Sequence, residues 1–264
     1  MENKRIYLCD DSIDGIFTAI YQAWSSRLGH SNIKIEEKCE GSKYSNIELF
    51  AEYVVVDTDM ELSIKVAKAI RTKISDEAYE MACHVALSDY LGKADLIYRF
   101  LVLGFAVGSS IVEHLSNEVV SRMSKVNKNV WNESHHLMGF VRFSEQANGL
   151  LTSIIHPKNN VLTLLAPHFA DRLPQERFLI YDGNRKLAAL HLPGTPWILA
   201  EIPELDQERV REVSGLEDQY RELWLTFFDH ISIKERENYR LQRNNLPLRF
   251  RNDITEFNRN YENK

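Results

Sequence analysis

The spacing of apolar residues along the chain changes near residue 132. Before this point apolar residues recur every three or four positions, as they do from Ile13 to Trp24, and this spacing is typical of amphipathic helices. After it the apolar runs are short and are separated by turn residues, which is typical of strands. The change predicts a helix-rich region over 1–132 and a sheet-containing region over 133–264, and leaves open whether the two form one continuous domain.

The first region is predicted to combine helices with a short sheet. Apolar runs predict strands at 5–9, 33–37 and 53–57. Helical spacing predicts helices over 13–24, 59–73, 76–91, 94–107 and 110–131. Ser12 and Ser75 are predicted N-caps, and Thr58 is predicted to form a capping box with Glu61.

The second region is predicted to form a β-β-α-β-β antiparallel sheet unit. Alternating runs predict a hairpin of strands 137–143 and 150–156 around Gln146–Gly149, and a second hairpin of strands 177–181 and 186–192 around the turn 182–185. The intervening segment 160–173 is predicted to be a helix that Pro167 starts or kinks. A fifth strand at 197–202, helices over 206–242 and a basic tail complete a predicted α+β fold.

Composition places the chain among globular proteins with a core. Of the 264 residues, 44% are hydrophobic and 27% are charged, and no apolar run reaches the roughly 20 residues that a membrane helix needs. No secretory signal is visible, so we expect a cytoplasmic protein. The three cysteines, Cys9, Cys39 and Cys83, form no C-x-x-C pair, which argues against a disulfide framework or a cysteine-bound metal.

Several common classes of enzyme lack their motifs in this chain. There is no G-x-x-x-x-G-K-[ST] loop and no G-x-G-x-x-G fingerprint, which argues against nucleotide hydrolysis and dinucleotide binding. There is also no G-x-S-x-G elbow and no H-E-x-x-H pair, which argues against α/β-hydrolase and zincin chemistry. No cofactor and no metal are predicted.

The segment 133–171 contains the residues with the clearest potential for acid–base chemistry. Imidazole and carboxylate groups bind metals and transfer protons, and the segment offers Glu133, His135, His136, His156, His168 and Asp171. The candidate catalytic residues among them are His135, His156, His168 and Asp171. Their spacing is not diagnostic of a metal site or of a catalytic site. Structural histidines are the favoured interpretation, and whether the protein is an enzyme stays open.

Positive charge is concentrated in two places. The chain carries a net charge of −6, and residues 1–118 carry 12 basic and 19 acidic side chains, whereas residues 232–264 carry 8 and 5. Cations beside aromatic rings suit nucleic acid, and the predicted binding residues of the tail are Arg236, Arg240, Arg243, Arg249, Phe250 and Arg251. Arg122, Lys125 and Lys128 share one face of the predicted helix 110–131, where a solvated face is the favoured interpretation over phosphate binding.

Four sequence blocks carry a resemblance to a known family. They are 7–16 (YLCDDSIDGI), 133–143 (ESHHLMGFVRF), 156–162 (HPKNNVL) and 165–172 (LAPHFADR), and the ending 245–251 (NLPLRFR) adds to them. The chain resembles, over its full length, a bacterial family of unknown function whose members are described as DNA-metabolism or DNA-repair proteins. Members are encoded beside a radical-SAM protein, and a similar domain is joined elsewhere to a uracil-DNA glycosylase-like domain.

The resemblance implies work on DNA without identifying catalytic residues. This chain has no C-x-x-x-C-x-x-C cluster, so radical chemistry would belong to the neighbouring protein. The leading hypothesis is an accessory protein in DNA repair that binds DNA, a radical-SAM partner, or both. One alternative is a metal- or histidine-dependent enzyme that acts on nucleic acid. Another is an interaction module, without DNA contact, whose helix 94–107 and acidic first half meet a protein partner.

Overall fold

The computed structural model of the protein describes residues 4–38, 48, 50–203, 215–231 and 237–257. The chain packs into two compact units, residues 1–131 and 132–264. Unit 1 contains a parallel three-stranded sheet and unit 2 contains a mixed five-stranded sheet. The predicted α+β class is confirmed. The assignment of 1–132 and 133–264 as separate domains stays a prediction.

Unit 1 is built around the central strand of its sheet. The strands are β1 (Lys4–Cys9), β2 (Ile33–Glu37) and β3 (Ala51–Val55), and they pair in parallel in the order β2-β1-β3. Its helices are α1 (Ile13–Ser25), α2 (Met60–Lys73), α3 (Asp76–Ala86) and α4 (Lys93–Val107). Helix α5 (Glu118–Phe140) begins in unit 1 and its residues from 132 onwards belong to unit 2. Strand β1 is buried from Ile6 to Cys9, so the core of unit 1 forms around it.

Helix α4 belongs to this core. Residues including Ile97, Tyr98, Phe100 and Leu101 have no exposed surface. Its buried apolar face therefore contacts the rest of unit 1 and is not a surface for a protein partner. No helix in the ranges described above is long and apolar enough to cross a membrane.

Two of the three predicted helix N-caps are confirmed by the structure and one is wrong. Ser12 accepts a hydrogen bond from Gly15 N at 2.9 Å, and Ser75 accepts one from Ala78 N at 3.1 Å, as predicted. The predicted capping box of Thr58 is wrong, because the N-cap is Asp59, whose carboxylate accepts from Glu61 N at 2.8 Å. Aspartate is at least as favourable an N-cap residue as threonine. Because Asp59 is the cap, α2 begins at Met60.

Unit 2 contains the strands β4 (Ser144–Glu145), β5 (Leu151–Ile155), β6 (Phe178–Asp182), β7 (Leu187–His191) and β8 (Ile198–Glu201), in the order β4-β5-β6-β7-β8. The turn 182–185 joins the antiparallel strands β6 and β7, as predicted. Helix α6 (Leu162–Arg172) packs on both of these strands, and β8 adds the predicted fifth strand.

Two details of this region differ from the prediction. The strand predicted at 137–143 is wrong, because α5 continues to Phe140; buried Val130, Ser134, Leu137 and Val141 are spaced four, three and four residues apart, which is a helical period. The hairpin at Gln146–Gly149 therefore begins with the two-residue strand β4. Strands β5 and β6 pair in parallel rather than antiparallel, because α6 provides a crossover between them.

The C-terminal part of unit 2 consists of short helical elements. Helix α7 (Gly215–Ile231) and helix α8 (Tyr239–Asn245) are followed by 3-10 turns at Leu248–Asp253 and Thr255–Phe257. Pro167 lies inside α6 rather than at its start. Cys39, Arg236 and the parts of the predicted 206–242 helices at 206–214 and 232–236 lie outside the described residues.

Candidate nucleic-acid interface

The carboxylate of Glu133, near the end of α5, organises a polar cluster in unit 2. Its side chain has no exposed surface and pairs with Arg249 Nη2 at 3.1 Å. It also accepts hydrogen bonds from Lys158 N at 3.1 Å, Asn159 N at 2.8 Å and Asn159 Nδ2 at 2.6 Å. A buried carboxylate needs several donors to offset its lost hydration, and here four nitrogens supply them. Glu133 thus fixes both the loop 156–159 and the C-terminal segment.

A second carboxylate holds the first residue of the same loop. Asp253 accepts hydrogen bonds from His156 N at 3.0 Å and His156 Nδ1 at 2.8 Å. The Asp253 side chain is 10% exposed, whereas the imidazole is 47% exposed. On its other edge the ring contacts Gly183, where a Cβ atom would lie 2.5 Å from His156 Nε2. A residue with no side chain at 183 therefore leaves room for the imidazole.

A third carboxylate connects the β6–β7 turn to the loop. Asp182, with no exposed side-chain surface, accepts from Arg185 N at 3.2 Å and from Arg185 Nη1 at 3.0 Å. Arg185 also donates to the carbonyl oxygens of Pro157 and Lys158, and Asn184 Nδ2 donates to Pro157 O at 2.9 Å. The turn and the loop 156–159 are therefore held as one structure.

These contacts share a pattern of buried anions and solvent-facing basic groups. We define the loop cluster as Glu133, His156, Lys158, Asn159, Asp182, Arg185, Arg249 and Asp253. The three carboxylates are 0%, 0% and 10% exposed, whereas Arg249, Arg185 and His156 are 41%, 26% and 47% exposed. Lys158 is also exposed. The carboxylates are therefore buried, whereas His156, Lys158 and Arg249 are exposed and Arg185 is partly exposed.

The structure separates the predicted residues of the basic tail. Phe250 is 2% exposed and its ring packs against His136 and Phe140, with centroids 6.0 and 5.6 Å apart, so it is a core residue. Arg249 lies over the Phe250 ring at 4.6 Å. Arg251 lies over another ring, that of Phe257, at 4.7 Å.

The remaining tail arginines do not belong to the loop cluster. Arg240 and Arg243 are exposed on α8, and Arg236 lies outside the described residues. Arg251 also donates to Gln242 Oε1 at 3.1 Å. The tail is therefore a folded segment with cations on several sides, and whether these residues bind nucleic acid stays a prediction.

The histidine candidates have different surroundings. His156 belongs to the loop cluster, and His135 is exposed on α5. His168 packs edge-on against Phe169 at 5.0 Å, and its Nε2 is buried with no hydrogen-bond partner, while Asp171 is exposed. Within the parts of the chain that the structure describes, no three His, Cys, Asp or Glu side chains are placed to hold a metal ion.

Burial lowers the pKa of His136, and the nearby His135 and Arg249 add to this effect. The desolvated imidazole beside Phe250 therefore favours its neutral form near neutral pH. This residue supports the packing of the C-terminal segment rather than adding positive charge to the surface.

Sequence reasoning missed Lys158, Asn159, Asp182, Arg185 and Asp253 as members of the site. Their contacts join segments that are far apart, such as His156 and Asp253, which are 97 residues apart. One signal was present for Glu133: in a helix extended to Phe140, it lies on the same side as the buried residues Val130 and Leu137. A charged residue at a buried helical position indicates a partner.

A family model described as a domain of unknown function, DUF4130, matches residues 92–256. The chain belongs to the DUF4130 family. The match begins at the N-cap of α4 and includes every residue of the loop cluster. No curated protein matches the chain.

Among solved structures, the chain is similar to a crystal structure of RecJ in complex with Mn2+ from Thermus thermophilus. The two share 10% identity with a TM-score of 0.34, over 72% of this chain and 45% of the RecJ chain. The chain thus spans less than half the length of that protein, and the likeness carries no argument about function.

Proposed function

We propose that this DUF4130 protein is an accessory protein of DNA metabolism that binds nucleic-acid phosphates at the loop cluster. The observation that carries the proposal is the arrangement of three basic groups, each at least partly exposed and each held by a buried carboxylate, around one loop. The family resemblance supports the assignment to DNA, and the exposed basic groups of the loop cluster support the choice of surface.

Fixed cations favour phosphate binding because little side-chain entropy is lost when the ligand arrives. A guanidinium has five N–H donors in a planar fork, and Arg249 directs one nitrogen to Glu133 while its plane lies over Phe250. Its other donors suit phosphate oxygens. Lys158 is exposed in the same loop whose backbone Glu133 holds, so it adds a charge at a defined position.

The exchange of Lys158 for alanine tests this proposal directly. Lys158→Ala removes an exposed charge and leaves the backbone bond to Glu133 in place, so we expect a folded protein with weaker DNA binding. The matched control is Arg172→Ala, which removes an exposed charge on α6. Fluorescence anisotropy with a labelled duplex measures the DNA affinity of both variants. Equal affinities for wild type, Lys158→Ala and Arg172→Ala would contradict the proposal.

The His156–Asp253 pair favours a second candidate function, acid–base chemistry on a nucleic acid. An imidazole oriented by a carboxylate through Nδ1 is suited to proton transfer at Nε2. If this function holds, the protein cleaves a labelled oligonucleotide in the presence of chelator, and His156→Gln abolishes the cleavage. Cleavage that chelator removes, or that His156→Gln retains, would contradict it.

We propose in addition that the protein docks on the radical-SAM protein encoded beside it. It rests on the family resemblance, and an exposed apolar stripe on α7 supports it. The stripe has helical spacing and consists of Tyr220, Leu223, Trp224 and Phe227, which are 66%, 65%, 43% and 53% exposed.

A pull-down with that radical-SAM protein tests the docking. Leu223→Asp places a charge in the stripe, and Thr226→Asp places the same charge at another exposed position of α7. We expect the first exchange to lower the recovered partner and the second to leave it unchanged. Equal recovery with both variants would remove the stripe from the interface.

A further inference from the structure

The loop cluster contains as many carboxylates as permanently charged basic side chains. The negative charges are those of Glu133, Asp182 and Asp253. The permanent positive charges are those of Lys158, Arg185 and Arg249. Because these charges formally cancel, the sign of the charge on the whole cluster depends on its remaining titratable member, His156.

The imidazole of His156 is exposed and has a defined orientation. Its Nδ1 donates to Asp253 Oδ1 at 2.8 Å, because a carboxylate can only accept. Its Nε2 lies beside Gly183 and is the atom that carries the second proton of a charged ring. Protonation of His156 therefore makes the loop cluster cationic and keeps the hydrogen bond to Asp253.

Histidine is the side chain whose charge ordinarily changes between pH 5 and 8, and a nearby anion favours its charged form. We propose that a nucleic-acid phosphate binds the loop cluster together with a proton, which His156 takes up. The inference rests on the proposed function, since it concerns regulation of the same surface. The proton comes from the solvent and returns to it when the nucleic acid dissociates, so the affinity falls as the pH rises.

The elements that pack against the ring contribute charges of both signs. Asp253, in the C-terminal segment, attracts the charged imidazole at Nδ1. The β6–β7 turn, which lies against the ring, contributes the pair of Asp182 and Arg185, whose charged atoms are 3.0 Å apart. Lys158, in the same loop as His156, repels a positive charge. A bound phosphate adds an attraction to this balance and so favours the charged form of the ring.

Isothermal titration calorimetry measures the proton uptake directly. The full chain is titrated at pH 7 with a DNA duplex that ends in hydroxyl groups, because terminal phosphates also change their charge near this pH. Two buffers of different ionisation enthalpy are compared. We expect wild type to take up a fraction of a proton, at most about one, for each duplex bound.

His156→Gln is expected to remove the proton uptake. The matched control is His114→Gln, which removes an exposed histidine outside the loop cluster and is expected to retain the uptake. A wild type that binds the duplex without taking up a proton would overturn the proposal. Equal uptake by wild type and His156→Gln would overturn it as well.

The affinity for the duplex should follow the same charge. Fluorescence anisotropy with a pH-insensitive dye is expected to show about 5- to 10-fold tighter binding by wild type at pH 6 than at pH 8, the effect of one added charge about 4 Å from a phosphate in water. His156→Gln is expected to lose this difference and His114→Gln to keep it. The reverse pattern would contradict the assignment of the proton to His156.

An NMR titration of wild type needs no variant, which matters because His156→Gln also removes donors from Asp253. The imidazole signals of His156 are followed against pH with and without the duplex. Their titration midpoint is expected to rise by about 0.7–1 pH unit in the complex, which is the same coupling measured at the ring. A midpoint that stays unchanged on binding would overturn the proposal.

Lys158→Ala, titrated at both pH values, separates this inference from the proposed function. If Lys158→Ala weakens binding while wild type takes up no proton, phosphate binding at the loop cluster stands and the proton linkage is wrong. If Lys158→Ala binds like wild type at both pH values, the proposed function is wrong and the linkage is wrong with it.

Discussion

At the scale of single residues, Glu133 is the side chain on which the loop cluster depends. Glu133→Ala leaves the nitrogens of Lys158 and Asn159 without their acceptor and removes the partner of Arg249. We expect a loss of about 2–4 kcal/mol in the free energy of unfolding, near the lower range for a broken buried pair because Arg249 is partly exposed.

Urea denaturation measures this loss. The control is Glu118→Ala, which removes a carboxylate that is 85% exposed and pairs with Arg122. Its stability is expected to stay within about 0.5 kcal/mol of wild type. Similar losses in the free energy of unfolding for Glu133→Ala and Glu118→Ala would show that Glu133 does not organise the loop cluster.

Gly183 and Gly139 differ in the space that is open to a side chain, so exchanging each for alanine gives a test and its control. A Cβ atom at 183 would lie 2.5 Å from His156 Nε2, whereas nothing lies within 4 Å of one at 139. Gly183→Ala is therefore expected to displace the imidazole from Asp253 and to destabilise the protein. Gly139→Ala, on α5, is expected to be neutral or to stabilise by up to about 1 kcal/mol. Thermal melts and the His156 imidazole NMR signals distinguish the two outcomes.

Cys9 is predicted to be unreactive in the folded protein. Burial raises the pKa of its thiol to about 12, with the carboxylates of Glu37, Asp10 and Asp11 adding to the shift. The thiolate is the reactive form, so at pH 8 a maleimide is expected to modify Cys9 only after unfolding. Peptide mass spectrometry identifies the modified site, and fast labelling of Cys9 in native protein would contradict its burial.

At the scale of the elements, the C-terminal segment is anchored by Phe250. Its ring packs against His136 and Phe140 of α5, so Phe250→Ala is expected to lower the free energy of unfolding by about 3–5 kcal/mol. Leu248, which is 57% exposed two residues earlier, provides the control. Denaturation midpoints that are equal for Phe250→Ala and Leu248→Ala would remove Phe250 from the core.

The elements themselves were largely predictable, for local reasons. Ser12 and Ser75 cap helices because their hydroxyls reach backbone groups three residues on, and the turn 182–185 joins strands that are close in sequence. The strand predicted at 137–143 is wrong because its apolar residues fit both an alternating and a helical period. The buried residues that decide for the helical period include the polar Ser134, which lies before the segment.

The loop cluster was not predictable from local patterns. Its bonds join Glu133 to Lys158, 25 residues away, and His156 to Asp253, 97 residues away. No periodicity of an isolated segment contains that information. The tail arginines illustrate the same point, because their sequence is continuous whereas Arg249 and Arg251 lie over different rings.

At the scale of the whole molecule, a net charge of −6 has to be reconciled with the proposed binding to a polyanion. The local arrangement of charge accounts for it: in the loop cluster the carboxylates are buried and the basic groups are at least partly exposed. Non-specific electrostatic attraction of a polyanion by the whole surface is therefore weak, and the proposed binding depends on a few defined contacts.

The dependence of duplex affinity on salt is the most direct test of this claim. The decisive variant is Glu133→Gln/Lys158→Ala/Arg249→Ala, which removes two exposed cations without leaving a buried charge unpaired. Its slope of log affinity against log salt is predicted to be shallower than that of wild type by about 1.8, or ~0.9 for each lost phosphate contact. A folded variant whose affinity and slope equal those of wild type would contradict the assignment of the loop cluster as a nucleic-acid interface.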